Sequence, residues 1–285
     1  RVDAEHHVDG IFVPSVDLFF KNKGTLPVEL QIRPVENGAP SSNTIIPGAV
    51  CVLEPEDINI SDKPNTENAL TKTTFTFSSP VYLNSAYDYA LVVITDDYGY
   101  DIYTAELGKQ ILGTERIISK QPFVGSLYRS QNQRTWTPIQ DEDLMFRINM
   151  CSFQNAGIAY FKEDKTKLPT SNTLYDAFEV HSDAMEISST KLNYYYKGRS
   201  NTTGYFDAAY TSIRPEEKIN LTERKVIANS SYDQTDFDVR VNMLTGNPAV
   251  SPVIYHNRQN LIAIENYIND TTLTSNNFVI TNGGY

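Results

Sequence analysis

Between Thr73 and Leu83 the chain reads TTFTFSSPVYL, and residues 84–94 follow with NSAYDYALVVI: two alternating runs divided by a Ser-Ser-Pro corner. Successive side chains of a strand point to opposite faces. This spacing therefore puts Phe75 and Phe77 on one face and Thr74, Thr76 and Ser78 on the other, with Pro80 at an edge or corner. The same pattern opens the chain. Residues 11–21 (IFVPSVDLFFK) set Val16, Leu18 and Phe20 against Ser15, Asp17 and Phe19, and Asn22 to Gly24 supply a turn into a second alternating run at 28–33, which predicts a hairpin. Residues 36–44 read as a loop, 45–53 as an extended segment carrying Cys51, and 54–71 as a long polar loop. A buried strand is expected at 87–95, turned back by Asp96-Asp97-Tyr98-Gly99 into 100–106. Residues 108–121 hold a further strand or an excursion, and 144–153 close the unit.

These elements predict a β-sandwich or jelly roll of roughly eight strands over residues 11–153, preceded by a linker or edge segment at 1–10. Residues 154–173 lack periodicity and read as a linker. Alternation returns at 185–197 (MEISSTKLNYYYK), 207–214, 217–227 and 237–244, whereas 261–267 fits either a strand or a short helical turn. A second β-rich domain is expected over 174–285, and the class predicted for the whole chain is all-β.

Composition agrees with that class. The 18 Tyr and 13 Phe residues, and the lack of long Ala/Leu/Glu/Lys periodic stretches, favour strands over helices. A length of 285 residues has room for two domains of about 100 to 150 residues. With 24 basic against 35 acidic residues the formal charge is −11, a surface that repels phosphate backbones and anionic lipids, so nucleic acid is not an expected partner. No apolar run approaches the roughly 20 residues that cross a bilayer, so membrane insertion is not expected either. Cys51 and Cys151 stand far apart without a CxxC pair, which favours buried free thiols over the alternative of a single bridge. The beginning at Arg1 and the end at Tyr285 read as cuts through a longer polypeptide.

Candidate chemistry is sparse. Asp96, Asp97 and Asp101 crowd one hairpin tip and are weak candidates for a hard cation such as calcium, but their spacing misses the EF-hand loop and a solvated acidic turn is the expected reading. Asp141, Glu142 and Asp143 form a second acidic run of the same kind. His6, His7, His181 and His256 sit in no serine or cysteine motif and GxSxG is absent, so neither catalytic residues nor a cofactor is expected. Trp136 and the run Tyr194, Tyr195 and Tyr196 are candidates for an inter-subunit or glycan contact, because aromatic faces bury well while their polar tips stay wet; strand packing is the competing reading.

Several stretches together resemble a known family. The segments VDLFFK from Val16, LQIR from Leu30, TTFTFSSPVYL from Thr73, AELG from Ala105, ISKQPF from Ile118, and LYRSQN from Leu127 followed by TWT at 135–137 resemble a module of large virion structural proteins of T4-like tailed phages, notably those of marine cyanobacteria. LTERKVI from Leu221, VSPVI from Val250, Arg258 and LIAIENYIND from Leu261 resemble the continuation of the same proteins, in which an Asp tends to stand at the position of Tyr255. The resemblance implies a non-enzymatic tail or baseplate scaffold, made in the host cytoplasm and assembled into the virion. Other tail proteins and further copies of the chain would be its partners. The alternative is a module that binds a host-surface glycan; fold analogy does not transfer binding, and no sugar-contacting residue carries over.

Overall fold

The computed structural model describes residues 2–120, 125–161, 173–200, 204–205, 209–227, 237–268 and 276–284. Gln121, Pro122 and Phe123 of the ISKQPF segment, residues 162–172 of the expected linker, 207–208 of an expected strand and 269–270 of LIAIENYIND lie outside the described residues. The described elements are β-strands with short 3-10 turns, an all-β architecture, and the chain divides into one unit over Arg1–Ser152 and another over Phe153–Tyr285.

In the first unit, strand Ile11–Leu18 runs antiparallel between Thr73–Leu83 and Phe146–Asn149. A second sheet forms around Val28–Glu36, with Val50–Leu53 on one side, Tyr89–Ile94 on the other, and Ala39–Pro40 folding back on Val35 and Glu36. Both sheets bury apolar side chains in a sandwich-like arrangement: Val16, Leu18 and Phe75 in the first and Val28, Leu30 and Ile32 in the second are essentially without solvent contact. Each such residue contributes about 1.5–3 kcal/mol through its burial. The alternation of Thr73–Leu83 is realised in space, with Phe75 and Phe77 buried and Thr74, Thr76 and Ser78 exposed.

Two local expectations change. Residues 11–21 and 28–33 do not pair as a hairpin; they belong to different sheets, because Ile11–Leu18 finds both its partners far along the chain and the turn after Asn22 carries the chain across. The Ser-Ser-Pro corner is a bulge inside one eleven-residue strand. Val13 pairs with Val81 and Ser15 with Thr76, so residues 77–80 stand opposite Pro14 alone. Pro14 and Pro80, neither of which has an N–H to donate, both sit where the ladder is interrupted.

Residues 2–9 are tied to this unit rather than leading away from it: Tyr82 donates its hydroxyl to Asp9 O at 2.7 Å and Ser85 its hydroxyl to Val8 O at 2.6 Å. The excursion expected over 108–121 is a small hairpin closed by the bridge between Gln110 and Ile117. The loop expected at 54–71 holds two 3-10 turns, Pro55–Asp57 and Ala69–Thr71.

The second unit has two larger sheets. One runs in the order Ala156–Phe161, Phe237–Thr245, Thr190–Ser200, and the last of these also pairs with Gly204–Tyr205 and Thr211–Ile213. The other has the order Ile219–Ile227, Thr173–His181, Asn260–Ile268, Asn276–Gly284. Their common core joins Phe178, Val180 and Leu261 of the second sheet to Leu192, Tyr194, Tyr196, Ile213, Val239 and Val241 of the first. The Phe178 and Tyr196 rings meet edge-on with centroids 4.7 Å apart. The segment expected as a linker from residue 154 therefore contains a sheet strand, Ala156–Phe161. Its neighbour Phe237–Thr245 supplies the ladder, and its own side chains are mostly exposed, which is why no apolar periodicity marks it. Residues 261–267 are strand, within Asn260–Ile268.

Candidate functional site

Strand geometry decides what the tyrosine run does. Adjacent residues of a strand face opposite ways, so Tyr194 and Tyr196 turn into the core with Leu192, and Tyr195 turns outward with Asn193. Tyr194 is capped by Ser182, hydroxyl to hydroxyl at 2.6 Å, and burial pushes its phenol above the ordinary range. Tyr194 and Tyr196 are thus packing residues, a correction to their candidacy as contact residues. Of the three, Tyr195 alone faces outward.

Around Tyr195 the cross-strand register builds a row. Tyr160 pairs with Arg240, Arg240 with Tyr195, and Tyr195 with Ser212, so one line of side chains crosses four strands. The Arg240 guanidinium carbon lies 4.8 Å from the Tyr195 ring centroid and 4.2 Å from that of Tyr210, a cation held between two aromatic faces. Burial, with Asp238 adding to it, pushes the Tyr210 phenol up, and Arg240 pulls in the other direction. In the neighbouring row Ile158 pairs with Asn242 and Asn242 with Asn193.

Ile158 and Tyr160 remain 56% and 58% exposed at the edge of this face, although both are large and apolar in body. Arg240 Nε and Asn242 Oδ1 are shielded from solvent with no hydrogen-bond partner among the described residues. The face thus offers aromatic surface for stacking, with the Arg240 guanidinium packed against it. Beyond Asn193, a groove of about 540 Å³ is lined by Ser182, Glu186, Lys191, Tyr194 and Arg214.

The other candidates lie in the first unit. Trp136 is half-buried at the start of Thr137–Ile139, with its Nε1 shielded and unpaired among the described residues. The loop before it is fastened down: Arg33 donates to Gln133 Oε1 at 3.2 Å and Ser42 to Arg134 O at 3.2 Å. The acidic tip has a structural use. Asp97 accepts from the backbone N–H groups of Thr25 (2.5 Å), Leu26 (3.3 Å) and Gly99 (2.7 Å), which hold its carboxyl below the usual range, and Asp101 accepts from Asn22 Nδ2 at 2.5 Å. Asp96 is exposed. These carboxylates do not share one focus for a cation. Among the described residues, the His/Asp/Glu grouping whose donor atoms do converge is Glu179, His181 and Glu216.

Sequence reasoning missed Tyr160, Tyr210, Arg240 and Asn242. The run Asp238-Val239-Arg240-Val241-Asn242 does alternate polar with apolar residues, a signal for an outward polar row. Comparison of the chain with protein-family models, with curated proteins and with solved structures gave no significant match.

Proposed function

We propose that the chain is a non-enzymatic structural component of a tailed-phage virion, a tail- or baseplate-associated scaffold that joins neighbouring subunits, further copies of itself among them. The observation that carries this reading is the outward face of the second unit, where Ile158 and Tyr160 stay exposed beside the Tyr195–Arg240–Tyr210 stack. Aromatic residues and arginine are enriched in the buried centres of protein interfaces, and a rigid sheet presents them without an ordering cost. The all-β architecture and the resemblance of the strand segments to virion proteins of T4-like phages support the same reading. Its test is a cryo-EM reconstruction of the particle: the Tyr160–Arg240 row covered by a neighbouring subunit is the expected result, and a row open to solvent in every copy refutes the proposal.

A second reading rests on the exposed ring of Tyr160 at the sheet edge. An exposed aromatic face stacks on a sugar ring, which makes a host-surface glycan the alternative ligand. Glycan-array binding that Tyr160→Ala abolishes without lowering Tm supports this reading over the scaffold; an array without signal removes it.

A further inference from the structure

His181 lies between two carboxylates. Its Nε2 is 3.2 Å from Glu179 Oε1 and its Nδ1 is 2.8 Å from Glu216 Oε2. Glu179 and His181 are two residues apart on strand Thr173–His181, on the face opposite the buried Phe178 and Val180, so the strand itself sets them side by side. Glu216 arrives from a turn ahead of Ile219–Ile227. That turn is fastened to the same strand by the Glu216 N–H, which donates to Val180 O at 2.8 Å. Glu216 adopts a left-handed backbone conformation, φ 64°, unusual for a residue with a side chain. Its carboxylate is further positioned by the Ser182 N–H, which donates to Oε1 at 3.3 Å.

One donor atom from each of the three side chains lies within 4.8 Å of the other two. Neighbouring donors of a tetrahedral ion, each at about 2.1 Å, are about 3.4 Å apart, so the set closes by a contraction of up to roughly 1.4 Å, within the reach of the two glutamate side chains. Charge argues in the same direction. Two carboxylates within 4.8 Å of one another concentrate negative charge that a divalent cation offsets. An imidazole with two carboxylates suits zinc and its first-row neighbours, whereas calcium takes oxygen donors alone.

We propose that Glu179, His181 and Glu216 form a binding site for a first-row divalent cation of the zinc type, at the point where the turn of Pro215 and Glu216 is fastened to strand Thr173–His181. The three side chains are 24%, 34% and 59% exposed in the order Glu179, His181, Glu216, which leaves the ion access and room for water in its remaining positions. The bound ion pins the turn to the strand beside the groove that Ser182, Arg214 and Pro215 line.

The test is a titration of the full chain with Zn²⁺ at neutral pH by calorimetry, with Co²⁺ absorption as a second readout. One ion per chain is expected, with a d–d band for Co²⁺ and a rise in Tm that chelator reverses. His181→Ala and Glu216→Gln are each expected to weaken Zn²⁺ binding at least tenfold, and Glu179→Gln repeats the measurement if either variant fails to fold. A rival site is present at His6 and His7, where His6 Nδ1 lies 2.6 Å from Asp3 Oδ2. The double variant His6→Ala/His7→Ala is expected to bind as the parent does. Absence of binding by the parent chain, binding that survives loss of His181, or binding lost with His6 and His7 would each overturn the proposal.

Discussion

Asp17 is without solvent exposure, and Lys72 Nζ lies 2.7 Å from its Oδ2 while Thr74 Oγ1 donates to Oδ1 at 2.6 Å. Thr74 is also its register partner, so the sheet itself delivers the hydroxyl to the carboxylate. Removing one member of a buried pair strands the other, at about 3–5 kcal/mol. Lys72 keeps one-fifth of its side chain in water, which places Lys72→Ala near the lower end of that range. Urea titration is expected to show a loss of about 3 kcal/mol for Lys72→Ala, and a smaller loss for Asp17→Leu/Lys72→Met, in which no charge is left behind. A double variant that loses as much as Asp17→Leu and Lys72→Met lose together would mean that the pair is not coupled.

The Arg240 stack gives a second prediction. Arg240→Met keeps an apolar stem but removes the cation between Tyr195 and Tyr210. A cation on an aromatic face contributes about 0.5–2 kcal/mol, so the variant is expected to lose about 1–2 kcal/mol, and a double-mutant cycle with Tyr210→Leu is expected to return most of it as coupling.

Asp97 links the turn at Gly24 to Leu26 with the hairpin tip at Gly99. Hydrogen bonds from the Thr25 and Gly99 amides hold its carboxyl below the ordinary range, so the stabilisation is present above the unfolded-state pKa of about 4 and is lost as pH falls through the lower folded value. Hydrogen exchange at the Thr25 amide is expected to accelerate in acid beyond its intrinsic pH trend, and Asp97→Asn is expected to remove that dependence. An identical profile in parent and variant would contradict it.

Asp143 behaves in the opposite sense. It is buried on strand Glu142–Leu144, its Oδ2 lacks a partner among the described residues, and burial pushes its carboxyl up. A raised folded pKa favours folding at low pH, and that contribution disappears as pH rises from about 4 through the folded value, above which the charged form is disfavoured. Asp143→Asn is therefore expected to raise Tm at pH 7 and to lose that advantage below pH 4. Thermal melts at both values check it, and a destabilised variant at pH 7 would sink the argument.

Wherever a strand has one wet face, its side-chain directions were legible in the sequence. Phe75 and Phe77 against Thr74 and Thr76 is such a case, and the period-two rule also separates Tyr195 from Tyr194 and Tyr196. Partner choice was not legible. Ile11–Leu18 is buried on both faces, and the nearby run at 28–33 looks like its natural mate, yet its ladder partners are Thr73–Leu83 and Phe146–Asn149. The Tyr160–Arg240–Tyr195 row exists only once three strands are in register, and no property of six residues such as AGIAYF announces that register. Glu179 and His181 stand on one strand face by spacing alone, whereas Glu216 joins them through a left-handed turn that glutamate does not signal.

Pro14 and Pro80 fix more than the local shape of their sheet. Slide Ile11–Leu18 along Thr73–Leu83 by one step, and a proline is driven into a rung that needs an N–H, while Val16 and Leu18 exchange faces with Ser15 and Asp17. The paired prolines act as a key cut for a single lock. A nascent chain that threads these two strands wrongly forfeits hydrogen bonds at once, and it is turned back before the rest of the sheet can close over the mistake.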